Sequence, residues 1–138
     1  MKIFAIVEAR MTSSRLPGKV LLEADGKPML EHLITRLKSV KSLSGIVLAT
    51  TTNHNDDVLE DFSNKHGIEL YRGSEDDVMM RVIKAAESVK ADIVVEITGD
   101  CPVIDPQLVE QTIKLFKAND VDYVSNNNIT SYPDGMDT

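Results

Sequence analysis

Arg10, Arg15 and Lys19 fall within ten residues of one another, interleaved with the hydroxyls of Thr12, Ser13 and Ser14, and Pro17-Gly18 turns the chain just before the lysine. Three cations and three hydroxyls in one loop can offer an anion several donors at once, and phosphate is the anion best able to use them. The charge distribution points the same way. Residues 1–20 hold Lys2, Arg10, Arg15 and Lys19 against Glu8 alone, a local +3 in a chain of −7, so the remaining 118 residues carry −10. Solvated loop charges would account for any one of these cations, but less readily for the cluster.

Two common phosphate loops are excluded by spacing. A Walker A loop needs a glycine five residues before Gly18-Lys19 and a Ser or Thr after the lysine, where this chain has Ser13 and Val20. No G-x-G-x-x-G follows the first apolar run, so the dinucleotide fingerprint is missing as well. This loop has to hold phosphate with side chains as well as backbone.

The elements around it read as alternating strands and helices. Ile3 to Val7 is an unbroken apolar run suited to a strand covered on both faces, and it leads directly into the basic loop. Asp25-Gly26-Lys27-Pro28 predicts a turn, and Met29, Leu30, Leu33, Ile34, Leu37 and Val40 mark the buried stripe of a first helix. Gly45 to Thr51 predicts the second strand, followed by a polar loop. Val58, Leu59 and Phe62 then form the inner face of a helix ended by Gly67, with Asp56 and Asp57 serving its dipole. Ile68 to Tyr71 predicts a third strand. After it, Asp76 and Asp77 open a helix with the stripe Val78, Met79, Val82, Ile83, Ala86 and Val89. Asp92 to Thr98 predicts a fourth strand, placed centrally by its Ile93-Val94-Val95 run. Asp105-Pro106 begins a last helix, and Val121 to Ser125 reads as a fifth strand. Five strands alternating with four helices predict an α/β fold in which an open, mainly parallel sheet carries helices on both faces, with ligand at the carboxyl ends of the strands.

Two further loops follow from that frame. Arg72-Gly73-Ser74-Glu75-Asp76 leaves the third strand, where a glycine lets backbone approach a flat ring, although capping competes with contact for Asp76. Gly99-Asp100-Cys101-Pro102 breaks the fourth strand. A lone aspartate opposite a phosphate loop is the right chemical type for magnesium, the alternative being a residue that only makes the turn. Cys101 is the single cysteine, which excludes an internal disulfide, and it has no candidate base partner for a nucleophilic role.

The stretch Ala9-Arg10-Met11-Thr12-Ser13-Ser14-Arg15-Leu16-Pro17-Gly18-Lys19 resembles the signature loop of the sugar-acid cytidylyltransferases, most nearly the spore coat polysaccharide (SpsF) branch. The resemblance continues through Arg72 to Val78, Thr98 to Pro102 and Tyr132-Pro133-Asp134-Gly135, and so spans the chain. It implies a nucleotide-diphospho-sugar transferase type of fold, with CMP transferred from CTP to a sugar or sugar acid and pyrophosphate released with Mg2+. Arg15 and Lys19 would then be catalytic. Ala9, Arg10, Ser13, Ser14, Arg15 and Lys19 would hold the nucleotide, with Arg72, Gly73 and Ser74 bordering base and ribose. Asp100 would hold the metal, and Asp134 and Asp137 are candidates for acceptor recognition. Family members run on for roughly another hundred residues, so residues 1–138 read as a single domain cut at its C-terminal end. The segment beyond would carry a further acidic ligand, the sugar pocket and the dimerisation element. This chain is thus expected to bind CTP and to turn it over poorly, and the complete protein to form a homodimer.

Other classes stay in view. A nucleotide-binding module without turnover would show the same loops, and a transferase using another nucleotide would differ only in base preference. A flavodoxin-like interaction domain would carry the basic loop incidentally. General nucleic-acid binding is excluded by the acidic balance and 4% aromatics. Apolar runs of at most about five residues exclude a membrane span or signal core, which points to the cytoplasm.

Overall fold

The computed structural model describes residues 1–127 and 132–138. Strand β1 (Ile3–Glu8) forms where the sequence places it, with Ile3, Ala5 and Val7 facing one layer and Phe4 and Ile6 the other. A two-stranded hairpin, β2 (Glu23–Ala24) and β3 (Lys27–Pro28), forms at the expected turn and delivers α1 (Met29–Leu37). The chain then runs through β4 (Gly45–Thr51), α2 (Asp57–His66), β5 (Glu69–Gly73), α3 (Val78–Val89), β6 (Ile93–Thr98) and α4 (Pro106–Ala118). The four long strands are parallel in the order β5-β4-β1-β6.

That order explains the layers. From β1 the chain steps outward to β4 and β5, and right-handed crossovers then put α1 and α2 on one face. Stepping back past β1 to β6 reverses direction, so α3 falls on the opposite face. Leu30, Leu33, Ile34, Leu37, Leu59, Phe62, Val109 and Ile113 accordingly bury against Ala5, Leu48 and Ile97. On the other side Val82, Ala85 and Ala86 cover Ile6, Val47 and Ala49. The direction reverses between β1 and β6, and the crevice at their carboxyl ends is where an open α/β sheet receives a ligand.

Several expectations are corrected. Among the described residues strand β6 is an edge of this sheet: Ile93, Val95 and Ile97 are packed, but Val94, on the opposite face, is 41% exposed. Its apolar run therefore has only one covered face. Residues 121–125 form no strand; Tyr123 is exposed, and no partner strand takes up their backbone groups among the described residues. Val58, Val78, Met79 and Ile83 are exposed, so α2 and α3 each bury a narrower stripe than the sequence suggested. Asp77 caps α3, accepting from Met80 N at 2.9 Å, in place of Asp76. Asp134 and Gly135 form a turn, with Gly135 at φ 85°, and Asn128 lies outside the described residues.

Candidate active site at the carboxyl ends of β1 and β6

Gly99 brings the two strand ends together. Its N–H donates to the Glu8 carbonyl at 2.7 Å, and a Cβ there would lie 2.9 Å from that of Ala9, so only glycine allows the approach. The basic loop is closed by its own backbone: the Met11 carbonyl accepts from Ser13 N at 3.0 Å and from Gly18 N at 2.8 Å, with Gly18 left-handed at φ 71°. Lys19 to Leu21 then form a 3-10 turn.

The loop is anchored by a residue that sequence reasoning misassigned. Asp56 is fully buried; its carboxylate accepts from Met11 N at 2.7 Å, from Thr51 N at 3.3 Å and from the Thr51 hydroxyl. It ties the basic loop to the end of β4, and is not a solvated helix-dipole acid. Glu75 makes a second tie, accepting from Thr12 Oγ1 at 2.8 Å, Arg10 at 3.3 Å and Asn53 Nδ2 at 3.3 Å. The hydroxyl and amide donors, with Arg10 behind them, hold the Glu75 carboxyl below its usual range.

A crevice of about 300 Å³ opens between these elements. Ala9, Arg10, Ser13, Ser14, Arg15, Lys19 and Asp100 all line it, together with Glu8, Val78, Arg81 and Thr98. Seven expected site residues thus converge from loops 81 or more residues apart at their extremes. Lys19 Nζ is ion-paired with the Asp100 carboxylate, which keeps that carboxyl below its usual range. Arg15 is exposed and has no ion-pair partner among the described residues.

Other expected residues stand elsewhere. Arg72 turns toward β4 and α2: its Nε donates to Thr51 O and one terminal nitrogen to Asn53 O, each at 2.9 Å, and it pairs with Asp57 at 2.7 Å. Its fork joins β5 to the start of α2, and it does not line the crevice. Gly73 and Ser74 do not line the crevice either, although Arg81 donates to the Ser74 carbonyl at 2.6 Å. Asp134 is exposed, and Asp137 lines a separate cavity of about 620 Å³ along the open edge of β6. The Cys101 thiol is buried and pushed up by that burial, so it is not a thiolate nucleophile at neutral pH.

Sequence reasoning passed over Glu8 and Arg81. Arg81 is 4% exposed and pairs with Glu8, 14% exposed, at 3.3 Å. Burial and a hydrogen bond with Glu96 raise the Glu8 carboxyl to about 7 against the opposing pull of Arg81. One signal was available: Arg81 stands four residues before Ala85, on the face of α3 that packs against the sheet.

The geometry meets its relatives at this point. Residues 4–132 match the family profile described as cytidylyltransferase. The spore coat polysaccharide biosynthesis protein SpsF of Bacillus subtilis is 36% identical over 130 residues, covering 90% of this chain and 54% of that protein. A cytidylyltransferase from Leptospira borgpetersenii superposes with a TM-score of 0.94 at 35% identity, over 99% of this chain and 58% of that one. A CMP:2-keto-3-deoxy-manno-octonic acid synthetase solved in complex with CTP gives 0.74 at 30% identity, over 86% and 48%. The chain spans about half the length of the curated relatives it matches. By profile, sequence and superposition alike, it belongs to the cytidylyltransferase family.

Proposed function

We propose that the crevice binds CTP with Mg2+, and that in the complete cytoplasmic enzyme, a homodimer, it transfers CMP to a sugar or sugar acid for surface polysaccharide synthesis. The observation that carries this reading is the convergence of Arg10, Arg15 and Lys19 with Asp100 in one crevice at the β1/β6 switch point. In the transfer, a sugar hydroxyl gives its proton to solvent as its oxygen attacks the α-phosphorus, forming one P–O bond while the bond from that phosphorus to the α–β bridging oxygen breaks and pyrophosphate leaves. Arg15 and Lys19 supply fixed positive charge where negative charge accumulates on the leaving group. Ser13 and Ser14 line the same wall and can orient phosphate oxygens.

The donor set suits magnesium, which is held by one or two carboxylates together with substrate phosphates. Asp100 is kept ionised by Lys19 and is 47% exposed toward solvent, so it can exchange that partner for a cation. When bound, the ion neutralises charge on the phosphates.

Arg15→Ala and Lys19→Ala are each expected to weaken CTP binding by roughly tenfold or more, the loss of one charge-assisted contact of about 1.5–3 kcal/mol. Equal affinity in wild type and both variants, measured by titration, would contradict a phosphate role for the loop. Asp100→Asn is expected to abolish the strengthening of CTP binding by Mg2+ while leaving metal-free binding in place; an unchanged magnesium effect would make Asp100 a turn residue. The reading as a whole is tested by thermal shift with the four nucleoside triphosphates and Mg2+. A ligand at a hundred times its Kd adds about 2.7 kcal/mol to stability, and CTP is expected to give the largest shift. Pyrophosphate release dependent on a sugar acid tests the transfer half.

A further inference from the structure

The crevice has two chemically different walls. One is the basic loop already assigned to phosphate. The other is formed by Glu8, Val78, Arg81 and Thr98, on the side of the sheet that α3 covers. An Arg–Glu pair is an expensive way to fill such a wall, since apolar residues of similar volume often serve stability as well or better. Arg81 is also under-used. Of its five N–H donors, one terminal nitrogen holds the Ser74 carbonyl at 2.6 Å and the other holds Glu8 at 3.3 Å, while the buried Nε has no partner among the described residues.

We propose that Glu8 and Arg81 read the base, selecting an aminopyrimidine over an oxopyrimidine. This rests on the CTP reading above and adds to it the residues that set base choice. Cytosine presents an exocyclic amine beside two acceptors, N3 and O2, whereas uracil presents an acceptor, O4, beside an N3–H donor. A carboxyl oxygen next to a guanidinium matches the cytosine edge, accepting from the amine and donating to the ring acceptors. Uracil in the same pose puts O4 against the carboxyl and its N3–H against the guanidinium, and both contacts fail. Sites built around such pairs reject the mismatched analogue because their own polar groups are then left unpaired. Val78 supplies an apolar surface beside them. The charged groups facing Glu8 are Arg81 from α3 and Glu96 from β6.

The test is a titration of the wild-type chain, Glu8→Gln and Arg81→Lys with CTP and with UTP in the presence of Mg2+. Wild type should prefer CTP by about ten- to a hundredfold, the discrimination of one good paired contact. Glu8→Gln, whose amide can turn to donate or accept, should reduce the ratio to a few-fold or less, mainly by gaining UTP. Arg81→Lys should lower CTP affinity more than UTP affinity. Should a variant fail to fold, wild type with N4,N4-dimethyl-CTP decides the matter: without the amine donors it should bind at least tenfold more weakly than CTP. The proposal is overturned if wild type binds UTP, or the dimethyl analogue, as tightly as CTP. It is equally overturned if Glu8→Gln weakens both nucleotides by the same factor, because a pair that only braces the wall would do that. Absence of CTP binding to wild type removes the CTP reading and this inference with it.

Discussion

Asp56→Ala is expected to destabilise the fold by about 4 kcal/mol, lowering the melting temperature by roughly 10 °C, because it leaves two backbone donors and a buried hydroxyl without their acceptor. Thr51 is as fully buried as Asp56, so water cannot replace the lost bonds without opening the end of β4. The effect reaches the site through Met11, whose N–H is held by Asp56 while its carbonyl closes the basic loop. CTP affinity should fall with stability in this variant. Chemical denaturation measures the first quantity, and a loss under about 1 kcal/mol, the scale of an ordinary helix cap, would show that Asp56 does not carry the loop.

Glu8→Gln is expected to flatten the dependence of stability on pH between about 5 and 8. The folded-state value of Glu8, about 7, lies above its ordinary 4.5. The folded chain therefore binds more protons than the unfolded one inside that window. Stability from this group is fully present below about 4.5 and is lost as pH rises through 7, a decline of about 3 kcal/mol. Glutamine mimics the neutral acid, so the variant should lack the decline and be the more stable protein at pH 8. His66 acts with the opposite sign, since burial lowers its value and stability then rises as pH passes the ordinary 6.5. Comparing wild type with Glu8→Gln cancels that contribution. Melting curves at pH 5, 6, 7 and 8 suffice, and parallel curves for the two proteins would contradict the raised value.

These two residues also mark where the sequence could and could not be read. Strand β4 was legible to its last residue, and the cationic loop stood out because like charges close together in an acidic chain have few bland explanations. Those are local signals. Asp56 was misread because an acid at the start of a helix looks the same whether it serves the dipole or is buried against a distant loop; only the tertiary contact with Met11 distinguishes them. The partners of Arg72 were hidden for the same reason. A glycine-bearing loop after a strand suggested ligand, and nothing local revealed that α2 would supply Asp57 and Glu60 to occupy the guanidinium. The edge position of β6 was hidden by Ile93-Val94-Val95, where alternate residues meet a packed layer and an open face. Glu8 could have been weighed more heavily, since a charge ending a doubly covered strand must find a partner, and Arg81 on the inner stripe of α3 was available to be one.

The most direct test of the central claim is a calorimetric titration of CTP into the wild-type chain, with and without Mg2+. Saturable binding at one site per chain, tightened by the metal, is the predicted result. Heats that never saturate, or equal binding of CTP and of a triphosphate lacking any base, would show that the crevice at β1 and β6 is not a CTP site.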